Sequence, residues 1–376
     1  MHIRKSKEKH RINGAILLLI CACIAILGVL SLFSSQRKEA AQISKVLELD
    51  AELSQAESSI PLSEYEETPD IPVKEYRIAA GLSINSANAI LVRVEDGSVL
   101  LEKNSTVKIF PASMSKIMTA IVALEHLIDL DETILLGRDV FSCLIGVNAS
   151  VAGFVAGEEV RAIDLLYGLM LPSGAECGMA LAFRVSGSES AFVKLMNSKA
   201  QELGMNDTHY TNTSGLHDAG HFSTVNDMAA LLLYAIENDT FYEIFTSRTH
   251  LTPPTAKHKE GLAFSSTLFS NIVDSGFEGG TILGGKTGYT QDAGRCLASI
   301  AEKDGELFIL VTSGATGVQW AQEPAESPQA QAQAQTQTQA QAQARGETPG
   351  ALPDIARSQN LHIEDAFAIY AAIEVR

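Results

Sequence analysis

The chain has 376 residues, of which 46% are hydrophobic and 19% charged, so most of it can bury a sizeable core. Its formal net charge of −17 argues against a nucleic-acid partner, because an acidic surface repels phosphates. Two of the five cysteines lie in an apolar N-terminal run, and the other three are an odd number and too few for a disulfide framework. The sequence has no Cys-x-x-Cys pair, so no metal site is expected.

The N-terminus has the pattern of a membrane anchor. Residues 1–13 contain five Lys or Arg against one acid, and residues 14–33 contain no charge. Such a run, at about 1.5 Å per residue, spans roughly 30 Å, the thickness of the hydrocarbon core of a bilayer. The pattern predicts a cytoplasmic basic tail (1–13), a single-pass signal anchor in the cell membrane (14–33) and an extracytoplasmic remainder. Cleavage just after the apolar run stays open as an alternative.

Composition divides the rest of the chain. Residues 34–77 are acidic with prolines near their end, which predicts a linker between the membrane and a folded domain at 78–320. Residues 321–350 hold a Gln-Ala and Gln-Thr repeat that cannot join a core, so a disordered insert is predicted. Helical spacing returns in residues 351–376, which predicts a helix that closes the domain.

Strand signals lie at both ends of the folded region and helix signals in its middle. Residues 88–94 and 99–102 flank an Asp-Gly turn and predict a hairpin, as do residues 296–301 and 307–313. Apolar residues at helical spacing predict helices over residues 113–127, 162–171, 174–185, 188–203 and 224–237. This order predicts an α+β fold, with strands from both ends of the chain around a helical cluster.

The first chemical signal is the spacing of Ser113 and Lys116. Residues three apart share a helix face, so a neutral lysine amine there can take the proton of the serine hydroxyl. A lysine has a pKa of about 10.4 in water, so burial or nearby positive charge must lower it. A Ser-x-x-Lys pair alone is a weak signal, because a capped helix start has the same pattern.

A second signal lies in residues 284–290, Gly-Gly-Lys-Thr-Gly-Tyr-Thr. Lys286 and Thr287 supply a cation and a hydroxyl that can hold a carboxylate, and Gly288 lets a substrate backbone approach closely. A glycine-rich turn explains the first two glycines but explains Lys-Thr-Gly less well. In this order the two motifs match the pattern of penicillin-binding proteins and serine β-lactamases.

Several blocks together resemble one family. Residues 111–120, 164–174, 215–218, 285–290 and 293–297 are similar to the low-molecular-weight D-alanyl-D-alanine carboxypeptidases, peptidase family S11, in the same order. The resemblance implies a penicillin-binding protein/β-lactamase-like transpeptidase domain, an antiparallel sheet flanked by helices. It also implies removal of the terminal D-alanine from peptidoglycan stem peptides, inhibition by β-lactam antibiotics, and no metal or organic cofactor.

The resemblance implies that Ser113 is acylated, that Lys116 is its general base and that Ser173 relays the proton to the leaving amine. The family's second motif is usually Ser-x-Asn, but Ala175 stands at its third position here. One contact that orients the lysine or the substrate is therefore missing, which bears on the rate more than on the fold. Glu176, the next residue, is open to two interpretations: it partly replaces the missing asparagine contact, or it is a surface or structural glutamate.

The same resemblance implies the substrate contacts. Lys286 and Thr287 would bind the terminal D-alanine carboxylate, with Gly288 beside the substrate. Backbone N–H groups of Ser113 and Tyr289 would form the oxyanion hole.

Two other activities and one other mechanism stay open. His217, oriented by Asp218 or Asp227, would complete a Ser-His-Asp triad, although the lysine makes a triad unnecessary and a structural histidine is the preferred interpretation. A β-lactamase would turn penicillin over rapidly. A catalytically weak or inactive peptidoglycan-binding homologue is the alternative that Ala175 motivates.

Overall fold

The computed structural model describes residues 75–316 and 360–375. The predicted anchor at 14–33, nearly all of the predicted linker at 34–77 and the predicted insert at 321–350 lie outside these ranges. Within the described ranges, no helix combines the length and the hydropathy needed to cross a bilayer.

The described residues contain β-strands at both ends and most of the α-helices between them. The strands are β1 (Tyr76–Ile78), β2 (Asn88–Arg93), β3 (Val99–Lys103), β4 (Thr133–Leu135), β5 (Glu159–Arg161), β6 (Thr249–Leu251), β7 (Ala263–Ser265), β8 (Gly276–Phe277), β9 (Gly280–Thr290), β10 (Gly294–Lys303), β11 (Glu306–Ala315) and β12 (Ile373–Val375). The helices are α1 (Lys116–His126), α2 (Arg138–Ser142), α3 (Ala162–Met170), α4 (Ala175–Ser186), α5 (Glu189–Glu202), α6 (Val225–Ala235), α7 (Asp239–Thr246) and α8 (Leu361–Ala371).

The central sheet has six antiparallel strands in the order β3-β2-β11-β10-β9-β8. Both predicted hairpins are present, and β2 of the first pairs with β11 of the second. Strands from the two ends of the described chain therefore meet in one sheet, with helices between them in sequence. The prediction of an α+β fold with an antiparallel sheet flanked by helices is confirmed.

Alternate residues of the central strands enter two different cores. Ile90 and Val92 of β2 pack against the helical cluster that contains α1, α3 and α4. Leu91, between them, packs on the other face with Ile369 and Tyr370 of α8. Because both faces are covered, every residue of β2 is buried, and each buried aliphatic side chain contributes about 1.5–3 kcal/mol. The helix predicted near the C-terminus is thus one layer of the domain.

Helix α8 is attached to the start of the folded region. Asp365 of α8 accepts hydrogen bonds from the backbone N–H groups of Asn85 at 2.8 Å and Ser86 at 2.7 Å, and from both of their side chains. The strand that follows α8, β12, pairs with β1. Strand β1 spans Tyr76–Ile78, next to the predicted domain boundary at residue 78.

Four of the predicted helices agree closely with the structure, and the first one begins differently. Helices α3 to α6 lie within two residues of the predicted ranges, and Ser188 and Thr224 cap α5 and α6 by accepting backbone N–H groups. The helix predicted over 113–127 begins differently, as a 3-10 turn (Ala112–Ser115) before α1. Ala112, the first residue of this turn, has a φ of +48°, which lies outside the α-helical range.

Candidate active site

Ser113 lies in the 3-10 turn that precedes α1. Ala112, the residue before it, has a left-handed backbone conformation that costs a residue with a side chain about 1–2 kcal/mol. Such strain persists only where neighbouring contacts enforce it. The turn therefore presents Ser113 from a backbone that the surrounding structure holds in place.

Two glycines, Gly215 and Gly288, allow their backbone segments to lie in close contact with this turn. A Cβ on Gly215, which has φ of +79°, would lie 1.8 Å from the carbonyl oxygen of Ala112. A Cβ on Gly288 would lie 3.0 Å from the backbone nitrogen of Ser113. The absence of a side chain at these positions permits the close approach. Because Gly288 belongs to β9, this contact fixes the second motif against the nucleophile turn.

Replacing Gly215 by alanine is expected to lower the free energy of unfolding by about 3 kcal/mol or more, since the new Cβ overlaps backbone and the positive φ is strained. The matched control is Gly204→Ala, which has φ of +71° with no atom within 4 Å of the new Cβ, and which should lose only about 1 kcal/mol. Chemical denaturation of both variants measures the difference. Equal losses would show that the contact with Ala112 is unimportant.

A buried histidine holds the same turn. The Nε2 atom of His221 lies 2.7 Å from Ser115 Oγ, which donates to the carbonyl oxygen of Ala112 at 2.8 Å. The backbone N–H of Thr211 donates to His221 Nδ1 at 3.2 Å, so the ring proton resides on Nε2 and is donated to Ser115. Burial lowers the pKa of His221 to about 4, which keeps the ring neutral. His221 therefore supports the nucleophile turn through Ser115.

Lys116 contacts the nucleophile directly. Its Nζ lies 3.1 Å from Ser113 Oγ and donates to the carbonyl oxygen of Ser214 at 2.6 Å. The side chain is only 2% exposed. Burial lowers the pKa of Lys116 to about 7, although the carboxylate of Glu176 acts in the opposite direction. A large fraction of the amine is thus uncharged near neutral pH and can accept the serine proton.

Lys286 of β9 is fully buried beside this pair. Its Nζ donates to the carbonyl oxygen of Thr287 at 2.8 Å. Burial, and then the positive charge of Lys116, hold the pKa of Lys286 well below its ordinary value. The contact of Gly288 with the backbone of Ser113 shows that the second motif lies close to the first, although most of the domain separates them in sequence.

A cavity of about 490 Å³ brings the predicted site residues together. Its wall includes five of the seven, namely Ser113, Ser173, Thr287, Gly288 and Tyr289. Lys116 adjoins the cavity through its contact with Ser113. Lys286 is absent from the described residues that line the cavity, since its side chain is enclosed.

Ser173 enters the cavity from the turn between α3 and α4. It has φ of +67°, another left-handed conformation at a residue with a side chain. Its Oγ is buried and has no hydrogen-bond partner among the described residues. Buried hydroxyls are usually paired, so this one is available to a molecule bound in the cavity.

Comparison with known proteins agrees with this arrangement. A family model described as D-alanyl-D-alanine carboxypeptidase, peptidase S11, matches residues 75–317, which is more than half of the chain. The chain belongs to this family.

Individual relatives show how similar the chain is to known members and how much of each is covered. D-alanyl-D-alanine carboxypeptidase DacF of Bacillus subtilis is 32% identical over 239 residues, which cover 62% of this chain and 59% of the relative. DacD of Escherichia coli is 29% identical over 251 residues, covering 64% of this chain and 61% of the relative. The chain thus spans less than two thirds of these relatives. The crystal structure of the Streptomyces K15 DD-transpeptidase matches with a TM-score of 0.57 at 25% identity, over 63% of this chain and 92% of that one.

Glu176, which follows the alanine that replaces the family's usual asparagine, hydrogen-bonds a segment next to the cavity. The carboxylate is fully buried, and its Oε1 accepts the backbone N–H groups of Ala152 at 2.6 Å and Gly153 at 2.9 Å. The N–H of Ala175 donates to the carbonyl oxygen of Ser150 at 2.9 Å. Both residues thus hold the segment whose residues 148–150 line the cavity. Glu176 thus makes structural contacts in this S11 chain, and burial raises the pKa of its carboxyl.

His217, the histidine considered for a Ser-His-Asp triad, contacts residues other than Ser113. His217 Nδ1 is 3.5 Å from a carboxylate oxygen of Asp292, and its ring packs edge-on against Phe110. Asp227 accepts the backbone N–H of Asp207 and the hydroxyl of Thr208, so it orients no histidine. The hydrogen-bond partner of the Ser113 hydroxyl among the described residues is Lys116, which agrees with the preferred interpretation of His217 as structural.

Seven further residues line the cavity that the sequence did not predict: residues 148–150, Thr267, Asn271, Arg295 and His362. Thr267 Oγ1 lies 2.7 Å from Thr287 Oγ1. Arg295 falls inside a block that resembles the family, but no pattern marked it as facing a ligand. His362 comes from α8, and nothing in its local sequence indicates that this helix reaches the site.

Proposed function

We propose that this protein is a serine-type D-alanyl-D-alanine carboxypeptidase that removes the terminal D-alanine from peptidoglycan stem peptides. The observation that carries the proposal is the 3.1 Å contact between Lys116 Nζ and Ser113 Oγ at a cavity walled by the Lys-Thr-Gly strand. Membership of the S11 family supports the same substrate class.

Acylation begins with neutral Lys116. Its amine accepts the proton of Ser113 as the serine oxygen bonds to the carbonyl carbon of the penultimate D-alanine. The backbone N–H groups of Ser113 and Tyr289 stabilise the negative charge that develops on the carbonyl oxygen. Collapse of this intermediate breaks the peptide C–N bond, and the proton held by Lys116 passes to the leaving nitrogen through the hydroxyl of Ser173.

Deacylation reverses the proton path. Water attacks the ester carbonyl, its proton passes to Lys116, and Ser113 recovers a proton as the shortened stem peptide leaves. A β-lactam resembles the scissile peptide and acylates the same serine, which supports the proposal that β-lactam antibiotics act as covalent inhibitors.

The edge of β9 supports binding of an extended peptide. Among the described strands, β8 pairs with β9 only at Gly280 and Thr281, so no strand pairs with residues 284–290 on that side. An exposed sheet edge accepts an extended peptide by backbone hydrogen bonding. The cavity lies along this edge, next to the nucleophile.

Two measurements on the purified protein test the proposal. An N-acylated peptide ending in Lys-D-Ala-D-Ala should release one equivalent of D-alanine, and intact mass spectrometry after benzylpenicillin should show one acyl group on Ser113. Rapid loss of that group with accumulation of hydrolysed penicillin would favour a β-lactamase. A protein that neither releases D-alanine nor forms the adduct would be the inactive homologue that Ala175 motivates.

The acylation rate is expected to rise with pH through about 7, because only uncharged Lys116 accepts the serine proton and its folded pKa is about 7. Glu176→Gln removes a charge that favours protonated Lys116, so the midpoint should move to lower pH by about 0.5–1 unit. Glutamine retains an oxygen for the N–H groups of Ala152 and Gly153. Stopped-flow measurements with a fluorescent penicillin give the profile, and the exposed Glu202→Gln is the control. A midpoint that moves upward contradicts the assignment.

We also propose that residues 14–33 anchor the enzyme in the cell membrane with the catalytic domain outside. The support is the uncharged run that follows a basic segment, which is the orientation signal for export of the downstream chain. The full chain should remain in the membrane fraction after washing at high salt. Protease added to intact cells from which the layers outside the cell membrane have been removed should digest the catalytic domain. Recovery of the full chain in the soluble fraction would contradict the anchor.

A further inference from the structure

The wall of the cavity carries more polar groups than Ser113 and Ser173, the two serines of the proposed reaction. It also includes a group of polar side chains that consists of Thr267, Asn271, Thr287, Arg295 and His362. It contains no acidic residue.

The register of β9 and β10 explains why these side chains gather. Arg295 pairs with Tyr289, and Leu297 pairs with Thr287, so these four side chains share one face of the sheet. Leu297 packs in the core that contains α8, which identifies the face. Gly288 lies between Thr287 and Tyr289 on the opposite face, toward Ser113. Arg295 and Thr287 are therefore on the α8 side of the sheet.

Arg295 is the charged member of this group. A guanidinium stays protonated at all physiological pH values and binds a carboxylate through two parallel hydrogen bonds. The guanidinium carbon of Arg295 lies 5.0 Å from the centre of the Tyr289 ring, a packing that restricts its orientation. Lys286, by contrast, is enclosed, and its amine donates to the carbonyl oxygen of Thr287.

His362 adds a second, buried donor. The residue is 4% exposed, and its Nδ1 has no hydrogen-bond partner among the described residues. Buried ring nitrogens are normally paired, so an unpaired one on a cavity wall points to a ligand. Burial, and then the charge of Arg295, lower the pKa of His362 to about 4, while Asp365 opposes them. The ring is neutral near pH 7 and still carries one N–H to donate.

The position of His362 is well defined. Asp365, one turn further along α8, is held by Asn85 and Ser86, and Ile363 is buried in the core next to it. Rigid support of this kind is what a binding side chain needs for a precise contact.

We infer that Arg295 and His362, with the hydroxyl of Thr287, bind the C-terminal carboxylate of the substrate. The inference rests on the proposed function, because a D-Ala-D-Ala stem peptide is what brings a C-terminal carboxylate into the cavity that Ser113 lines. It assigns a substrate-binding role to α8, the helix that follows the Gln/Ala-rich segment in sequence.

Binding in a background without turnover tests the inference. In Ser113→Ala protein, ligand-observed NMR titration should show that an N-acylated Lys-D-Ala-D-Ala peptide binds about tenfold or more tightly than its C-terminal amide, since charge-assisted hydrogen bonds to the acid are lost. Adding Arg295→Gln or His362→Leu should reduce this ratio toward one by weakening the acid and leaving the amide within about twofold. Arg295→Lys, which keeps the charge, and His362→Gln, which keeps a donor, should restore part of the ratio.

The controls separate three failures. Arg138→Gln, on the exposed helix α2, should leave the ratio unchanged. If Arg295→Gln and His362→Leu keep the full preference for the acid, or if they weaken acid and amide equally, the inference is wrong. The same holds if the Ser113→Ala protein shows no preference. Failure of the proposed function would appear separately, as an unmodified chain that releases no D-alanine.

Discussion

Replacing Ser113 by alanine is expected to abolish both D-alanine release and labelling by a fluorescent penicillin. The substitution removes the oxygen that forms the acyl-enzyme, so kcat should fall by at least about 10⁴-fold, the usual result when a covalent nucleophile is lost. The structure should survive, because the Ser113 side chain is only half-buried and Lys116 keeps its hydrogen bond to the Ser214 carbonyl at 2.6 Å.

Ser142→Ala is the matched control, an exposed serine whose hydroxyl donates to the carbonyl oxygen of Asp139. Its activity and melting temperature should equal those of the unmodified chain. A Ser113→Ala protein that is folded and still carries a penicilloyl group by intact mass would place the nucleophile at another residue. Peptide mapping of that adduct would then identify it.

Replacing Lys116 is expected to have the second largest effect. Lys116→Arg introduces a group that cannot lose its proton in a protein, and Lys116→Met keeps the length of the side chain without a base. Either change should slow acylation by about 10²- to 10⁴-fold, the range for loss of a positioned general base. The pH dependence of the residual rate should also lose its midpoint near 7, because the group with that pKa is gone.

Lys116→Met keeps this prediction testable if the arginine variant does not fold. Burial of an amine opposes folding while the unfolded chain holds its proton, so the methionine variant should be at least as stable as the unmodified chain at pH 7. Lys194→Met, on the exposed side of α5, is the control and should change neither rate nor stability. Unchanged acylation in a folded Lys116→Met protein would exclude Lys116 as the base.

The local sequence determined the elements and the chemical types at the site. Strand and turn patterns predicted the hairpins of β2–β3 and β10–β11, and caps such as Ser188 set helix ends. These features depend on side chains a few residues apart, so they can be recognised in one window of sequence. The spacing of Ser113 and Lys116 likewise predicted their contact, because residues three apart share one face of a helical turn.

Tertiary structure decided what those residue types can do. The pKa of Lys116 falls to about 7 because α1 is enclosed by segments distant in sequence, and no local pattern reports that burial. Gly215 packs against the left-handed Ala112, and Asp365, on the same helix as His362, accepts hydrogen bonds from Asn85 and Ser86. Desolvation and close packing depend on how distant segments meet. The sequence therefore determined which groups are present, and only the folded chain determined their charge and their neighbours.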